Sequence, residues 1–336
     1  MNKIAKTVLM TGTALCAAGV VLSTAGYFAG GKDFTYTSDH MYVSGGNSSS
    51  RKNLTVMKKE QIDDFTKLNV DFENFDLDIR TSDDDHYYME YKLEKNGRKN
   101  PLTWKDKDGE LTLEESAGGS GSYYITYDLG IFSTHTDLTE KKDALNTVIL
   151  YIPEKAQLSE AELQLSDGDL TADQLLCKEM TLELLNGDLM LDKGEFEKFD
   201  AKLSDGDLNV KGLQCTDNMQ LKSGNGDVTI KKAELADGQI ALSDGDLQID
   251  NGSFNGDMKI NSSCGDVSVE MKNGSVEKTN IYLKAADGDV DTEGLSRGKS
   301  DNEEDTSVYE NKAGASAPTL NVKCSDGDIT LTESEK

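Results

Sequence analysis

The chain has 336 residues, with 62 acidic against 35 basic side chains and a formal net charge of −27. At that charge each phosphate contact meets net repulsion, which argues against nucleic acid and anionic lipid surfaces, favours cationic partners, and also keeps a long protein soluble. Three prolines, one Trp and 29 % charged residues describe a soluble extracytoplasmic body.

Lys3 and Lys6 precede a charge-free apolar run over residues 7–31 that is long enough to cross a bilayer as one helix, with the basic side in the cytoplasm. This predicts a cytoplasmic tail at 1–7 and a transmembrane anchor or signal peptide at 8–30. Ser23-Thr24-Ala25 offers a signal-cleavage site, whereas the continuation of the run through Tyr27-Phe28-Ala29 favours a retained anchor. Cys16 follows Leu15, where a lipoprotein signal needs a small residue. Either way the bulk of the chain is exported: a single-pass cell-membrane protein with its C-terminal domain outside, or a secreted one if the segment is cleaved.

Residues 31–64 are polar, with the Gly/Ser-rich 44–50 as the clearest linker signal, and read as a flexible stalk that ends in a short helical turn near Gln61-Ile62-Asp63-Asp64-Phe65. Residues 65–160 read as degenerate coils of the repeat that follows. Asn74-Phe75-Asp76-Leu77-Asp78-Ile79 matches it with Phe75 in a glycine position, and Asp108-Gly109-Glu110-Leu111 matches with Glu in place of Asp. Tyr87–Tyr91 and 123–127 are strand-like, the Gly/Ser-rich 117–122 links two strands, and 147–152 is a strand closed by Pro153. Packing at the edge, or lining a groove, are the two uses open to these tyrosines.

From residue 161 to 336 the chain is organised by one element. Glycine followed by Asp occurs at Gly168, Gly187, Gly206, Gly226, Gly245, Gly265, Gly288 and Gly327, at intervals of 19, 19, 20, 19, 20, 23 and 39 residues. A period this tight is the signature of a solenoid whose repeats stack on their neighbours. Two residues after each glycine the side chain is aliphatic, from Leu170 to Ile329. Inward positions also fall four and nine residues after the glycine and five before the next one. The predicted fold is all-β: a single-chain β-solenoid, β-helix-like, of about 19–20-residue coils, preceded by the one N-terminal helix.

The glycine marks a corner. Leu203 and Leu208 are five apart yet both inward, which requires a bend between them. Before the glycine stands Asp or Asn in seven of the eight repeats and Cys264 in the other; Asp and Asn tolerate left-handed backbone and cap their own turns. The long last interval holds a polar stretch, 297–310, expected as an excursion from one corner, after which 319–331 resumes the pattern as the last coil. Glu333-Ser334-Glu335-Lys336 is expected to discourage edge-to-edge pairing there.

The recurring Ser-Asp-Gly-Asp-Leu elements, Val148-Ile149-Leu150-Tyr151-Ile152-Pro153 ahead of the first full repeat, and an anchor before a Gly/Ser-rich stalk resemble the bacterial "putative adhesin" family of β-strand repeats. This is a domain of unknown function on Gram-positive envelope proteins. The resemblance covers roughly residues 65–335 and implies a surface or envelope-associated protein, in some relatives encoded beside envelope-stress regulators. It supplies no catalytic residue, and the insertion at 297–310 departs from its simple repeat.

The sharpest chemical feature is the column of aspartates after the glycines. At about 4.8 Å between coils, neighbouring carboxylates repel by about 1 kcal/mol in water and more where water is excluded. Solvation, turn amides, raised pKa values or a bound cation would relieve this. Structural turn aspartates are the first reading. A Ca²⁺ ladder on the Asp-Gly-Asp repeats is the second, with candidates Asp167, Asp169, Asp205, Asp207, Asp244, Asp246, Asp287, Asp289, Asp326 and Asp328. No other cofactor or metal is implied.

Catalysis finds little support. His40, His86 and His135 lack metal-ligand spacing, the arginines number four, and neither a phosphate loop nor a nucleophile elbow occurs. The chain reads as a non-enzymatic adhesin or envelope-interaction scaffold, bound to the membrane by its N-terminal helix and to an envelope protein or polymer by a solenoid face. The alternative is an accessory that modulates a membrane envelope-stress sensor through the anchor. Cys177, Cys215, Cys264 and Cys324 are expected as buried, unpaired thiols, Cys264 and Cys324 being separated by the coil at Gly288.

Overall fold

The computed structural model describes residues 34–36, 41–43, 54–117, 145–292, 295, 298–303 and 306–335. The predicted cytoplasmic tail, the anchor or signal helix, the linker 44–50 and the strand 123–127 lie outside the described residues. No helix among the described residues is long and apolar enough to cross a membrane.

The chain divides into two units. In one (1–54, 96–98 and 118–141) the described strands Phe34–Tyr36 and Met41–Val43 pair antiparallel, Phe34 opposite Val43. The other (55–95, 99–117 and 142–336) is the solenoid.

The solenoid arises from period-two alternation folded around a corner. Along the strand Leu189–Asp205, the side chains of Leu189, Leu191, Phe196, Phe199, Ala201 and Leu203 are buried while most of those between face water. The next coil repeats the set in parallel register: Leu189 opposite Leu208, Leu191 opposite Val210, Phe196 opposite Cys215, Ala201 opposite Leu221. Each inward column thus stacks apolar on apolar, and full burial of one Leu or Phe stabilises by about 1.5–3 kcal/mol. The predicted inward positions are buried throughout, except that Val290 and Thr292, both in the coil of Gly288, are only half-buried.

Stacking order departs from chain order at both ends. At the N-terminal end Lys67–Phe72 lies between Leu158–Leu165 and Glu110–Glu115, and Asp76–Ser82 lies between Leu170–Asn186 and Thr147–Pro153. The coil met first in sequence is therefore second in the stack. Antiparallel strands finish this end: Leu102–Lys107 on Glu110–Glu115, and Tyr88–Glu94 on Thr147–Pro153. Leu54–Gln61, placed in the stalk by the sequence, is a strand paired with Tyr88–Glu94. Residues 62–65, expected as a helical turn, have no helix, and Ile62 and Phe65 are buried.

The Asp108-Gly109 element is not a solenoid corner. Asp108 and Gly109 have φ of 57° and 79° and join Lys107 to its cross-strand partner Glu110 as a two-residue hairpin turn. Two successive positive φ values match the twist of an antiparallel pair, and Asp-Gly is a sequence that adopts them.

At the C-terminal end the last coil in sequence is threaded between its two predecessors, not placed at the terminus of the stack. Thr319–Asp326 pairs on one side with Met258–Cys264 and on the other with Asn280–Asp287. Ile329–Glu333 likewise lies between Val267–Met271 and Val290–Asp291. The charged terminus is tied down: Glu333 Oε1 accepts the Val276 amide at 3.2 Å and the Ser334 amide donates to the Met271 carbonyl at 2.8 Å.

The described residues of the polar insertion join the sheet. Lys299–Glu303 and Thr306–Asn311 pair antiparallel, and the second strand continues the sheet beyond Asn280–Asp287. Alternation explains why a polar stretch can do this, since Ser307, Tyr309 and Asn311 turn inward. Asn311 Nδ2 donates to the carbonyls of Val276 and Thr279 at 3.0 and 3.1 Å, so its burial leaves the amide satisfied.

Two cysteine expectations change with this order. Cys264 and Cys324 sit on adjacent strands, Ser262 opposite Cys324 and Cys264 opposite Asp326, with no coil between them. Cys264 is exposed because it falls in the outward corner column, while Cys177, Cys215 and Cys324 are buried; all four are free thiols.

Candidate functional site

The corner is built from two stacked columns, and the close approach of successive coils dictates the first. A Cβ added to Gly168 would lie closer than 3.0 Å to the carbonyl oxygen of Phe75, and Gly187 meets the oxygen of Gly168 in the same way. The series continues through Gly206, Gly226, Gly245, Gly265, Gly327 and finally Gly288, each against the glycine carbonyl of the coil before it in space. Six of these glycines also have φ between 113° and 153°. The Asp, Asn or Cys that precedes each one is not left-handed, contrary to the sequence expectation for Asp and Asn; in these six the glycine itself takes the left-handed backbone. Phe75 heads the column, its ring buried edge-on against Phe72 with centroids 5.8 Å apart.

The second column is the aspartates. Oδ1 of Asp169 accepts the amide N–H of Asp188 at 2.9 Å, Asp188 accepts that of Asp207 at 2.8 Å, and Asp207 that of Asp227 at 2.9 Å. The ladder runs on through Asp246, Asp266, Asp328 and Asp289 at 2.7–2.9 Å. Each carboxylate from Asp169 to Asp328 thus takes a backbone donor from the next coil in the stack, a charge-assisted bond that offsets repulsion along the column. Asp76 starts the ladder by accepting the Asp169 amide at 3.0 Å. Burial pushes the Asp76 carboxyl above the usual carboxylate range, against the opposing effect of that hydrogen bond. Sequence reasoning left Asp76 out of the candidates because Phe75 masked the Gly-Asp signature.

The remaining calcium candidates, Asp167, Asp205, Asp244, Asp287 and Asp326, form an outward column one residue before the glycines. Where Asn interrupts it, the amide bridges: Asn186 Nδ2 donates to Asp167 Oδ1 at 2.7 Å and Asn225 Nδ2 to Asp205 Oδ1 at 2.6 Å. The structure brings both columns to one corner. Among the described residues no group of three or more His, Cys, Asp or Glu is arranged to hold a metal ion. Of the histidines, only His86 is described; its amide donates to Asp84 Oδ1 at 2.9 Å. Of the described tyrosines at the N-terminal end, Tyr88 and Tyr151 lie under one cation, with Lys59 Nζ 3.7 Å from the ring centroid of Tyr151 and 4.9 Å from that of Tyr88.

With the repeated corner described over this span, the model of the Toastrack DUF4097 domain matches residues 65–332. The chain belongs to the Toastrack DUF4097 family. No curated protein matches it. Among solved structures, a "putative cell adhesion protein" from Clostridium sporogenes is 16 % identical, with 83 % of this chain and 100 % of that one covered and a TM-score of 0.27. A "putative adhesin" from Parabacteroides merdae is 16 % identical, with 84 % and 97 % covered and a TM-score of 0.47. A "putative lipid binding protein" from Parabacteroides distasonis is 12 % identical, with 85 % and 98 % covered and a TM-score of 0.45. The Toastrack solenoid accounts for the repeat, the corner and the all-β content of this chain.

Proposed function

We propose that the chain is a non-enzymatic binding scaffold of the cell envelope, held at the membrane by residues 8–30 and displaying the solenoid outside. The observation that carries this reading is the contrast between adjacent columns of one sheet. The inward column Leu163, Leu182, Ala201, Leu221, Ile240, Ile260, Val322 and Leu283 is aliphatic throughout. One residue along, the outward column runs Gln164, Glu183, Lys202, Lys222, Ala241, Asn261, Lys323 and Lys284. The interior and the corner are spent on stacking, and the outward side chains are free to specialise, which is how solenoids build extended binding surfaces.

External protease added to wall-stripped cells should degrade residues 35–336; full protection in intact cells would overturn the topology. Crosslinking in cells should capture an envelope component with the whole chain and lose it when residues 65–336 are deleted. A phenotype that follows exchange of the anchor alone would move the reading to a sensor accessory.

A further inference from the structure

On the sheet face that precedes the corner, paired charges give way along the stack to unpaired lysines. Toward the N-terminal end Glu160, Glu179 and Glu183 are matched by Lys67 at 2.6 Å, Lys198 at 2.8 Å and Lys202 at 2.5 Å. Further along the same face stand Lys259, Lys284 and Lys323, for which no ion pair exists among the described residues. Lys323 is directly opposite Lys284, and Lys259 is opposite Asn321, two residues before Lys323. The three lysines therefore rise from adjacent strands about 4.8 Å apart.

That grouping is physically unexpected in this chain. With 62 carboxylates for 35 basic side chains, pairing each lysine would be simple, and adjacent ammonium groups repel by about 1 kcal/mol at close range in water. Two carboxylates beside this face have other partners. Asp257 Oδ1 accepts the Thr319 amide at 2.9 Å, and Glu310 Oε2 lies 3.8 Å from Lys312 Nζ.

The surroundings suit hydroxyl-bearing rings. Tyr282 is half-buried opposite Asn321, beside a cleft of about 450 Å³ that it lines with Asn280, Lys312 and Thr319. The cleft wall is fixed because Asn280 Oδ1 accepts the amides of Ala313 and Gly314 at 2.9 and 3.2 Å. Asn261 and Asn321 add outward amides, each able to donate and accept as a hydroxyl does.

We infer that this face binds an anionic glycan, a hydroxyl-bearing polymer with phosphate or carboxylate groups spaced along it, an assignment that rests on the scaffold reading. The net charge does not forbid this, since fields from distant carboxylates are screened within about 8 Å at physiological salt. It does select against duplex DNA, whose charges recur every ~1.7 Å and would overrun the patch onto acidic surface.

The test measures binding of the full-length chain to immobilised glycerol-phosphate polymer and polygalacturonate, with neutral dextran, poly-L-glutamate and duplex DNA as comparators. The variant K259Q/K284Q/K323Q is expected to lose about ten-fold in affinity for at least one anionic glycan at ~0.15 M salt, with its unfolding midpoint unchanged. Tyr282→Ser should weaken glycan binding and leave any residual poly-L-glutamate binding alone. The control K193Q/K202Q/K211Q makes the same charge change at lysines already facing Glu195, Glu183 and Asp192, and should bind as the native chain does. Equal loss in both triple variants, or dextran, poly-L-glutamate or DNA bound as tightly as the glycans, would overturn the assignment. If the native chain captures an envelope component but binds neither glycan, the assignment falls and the scaffold reading stands; if it does neither, both fall.

Discussion

The amide of Asp328 donates to Oδ1 of Asp266 at 2.8 Å across 62 positions of sequence, and Oδ1 of Asp328 then accepts the amide of Asp289 at 2.8 Å. The last Gly-Asp of the chain is thus an interior rung of the ladder. Leu320, Val322, Ile329 and Leu331 are fully buried in consequence. Removing residues 313–336 should therefore expose both neighbours, and amide hydrogen exchange should show lost protection in Met258–Met271 as well as in Asn280–Asp287. If Met258–Met271 keeps its protection, the last coil is not threaded between the other two.

Gly187→Ala separates close approach from backbone strain, because Gly187 does not have a left-handed φ yet its Cβ would strike the Gly168 carbonyl. The variant should lose about 3 kcal/mol or more in denaturant unfolding. Gly274→Ala, at φ 77° with nothing within 4 Å of the added atom, should lose only about 1 kcal/mol. Similar losses at the two sites would show that stacking contact is not what requires glycine in the column.

Asp76 sets a pH dependence. Its carboxyl is raised in the folded protein, so it favours folding at pH values below the ordinary carboxylate range, and that contribution is lost as pH rises through the raised value. Asp76→Asn keeps an oxygen for the Asp169 amide and removes the buried charge. The variant should unfold at higher denaturant than the native chain at pH 7, with the difference disappearing near pH 3. A variant less stable than the native chain at pH 7 would contradict this.

Burial pushes the Cys177 thiol up to about 12, and raises those of Cys215 and Cys324. Peptide mapping after native maleimide treatment should find Cys264 modified and those three untouched until the chain is denatured. Native labelling of Cys215 or Cys324 would show that the inward columns are misplaced.

Calcium should leave the melting temperature unchanged between millimolar Ca²⁺ and chelator, because one oxygen of most ladder carboxylates already serves a backbone amide. A rise of several degrees would establish Ca²⁺ binding by the folded state.

Much of the corner was legible because each of its requirements acts on a residue type. Only glycine tolerates a neighbouring carbonyl at its α-carbon, and only an acceptor on the next residue satisfies the amide of the following coil. Asp76 was matched to the repeat yet left out of the aspartate column because Phe75 precedes it; Phe75 supplies the first carbonyl without needing to be glycine itself, since no coil of the glycine series approaches its own α-carbon from the other side. The Asp108-Gly109 pair misled because Asp-Gly also encodes a hairpin turn, and the two uses differ only in what lies across from them. The lysine face was invisible in a net charge of −27, for Lys259, Lys284 and Lys323 become neighbours only through strand register.

By itself the sequence determined the period, the inward columns and the corner, since these depend on alternation and local backbone and repeat with every coil. Tertiary structure alone decided the order of the coils at the two ends. Any coil with an aliphatic interior can stack on any other, so local pattern leaves the order open; what selects it is the interior quality of each coil. Ile329 and Leu331 need neighbours on both sides, whereas the half-buried Val290 and Thr292 can sit one coil further out, where Asn280–Asp287 is closed by Thr306–Asn311. The exchange is a comparison between segments far apart in the chain, which no local reading makes.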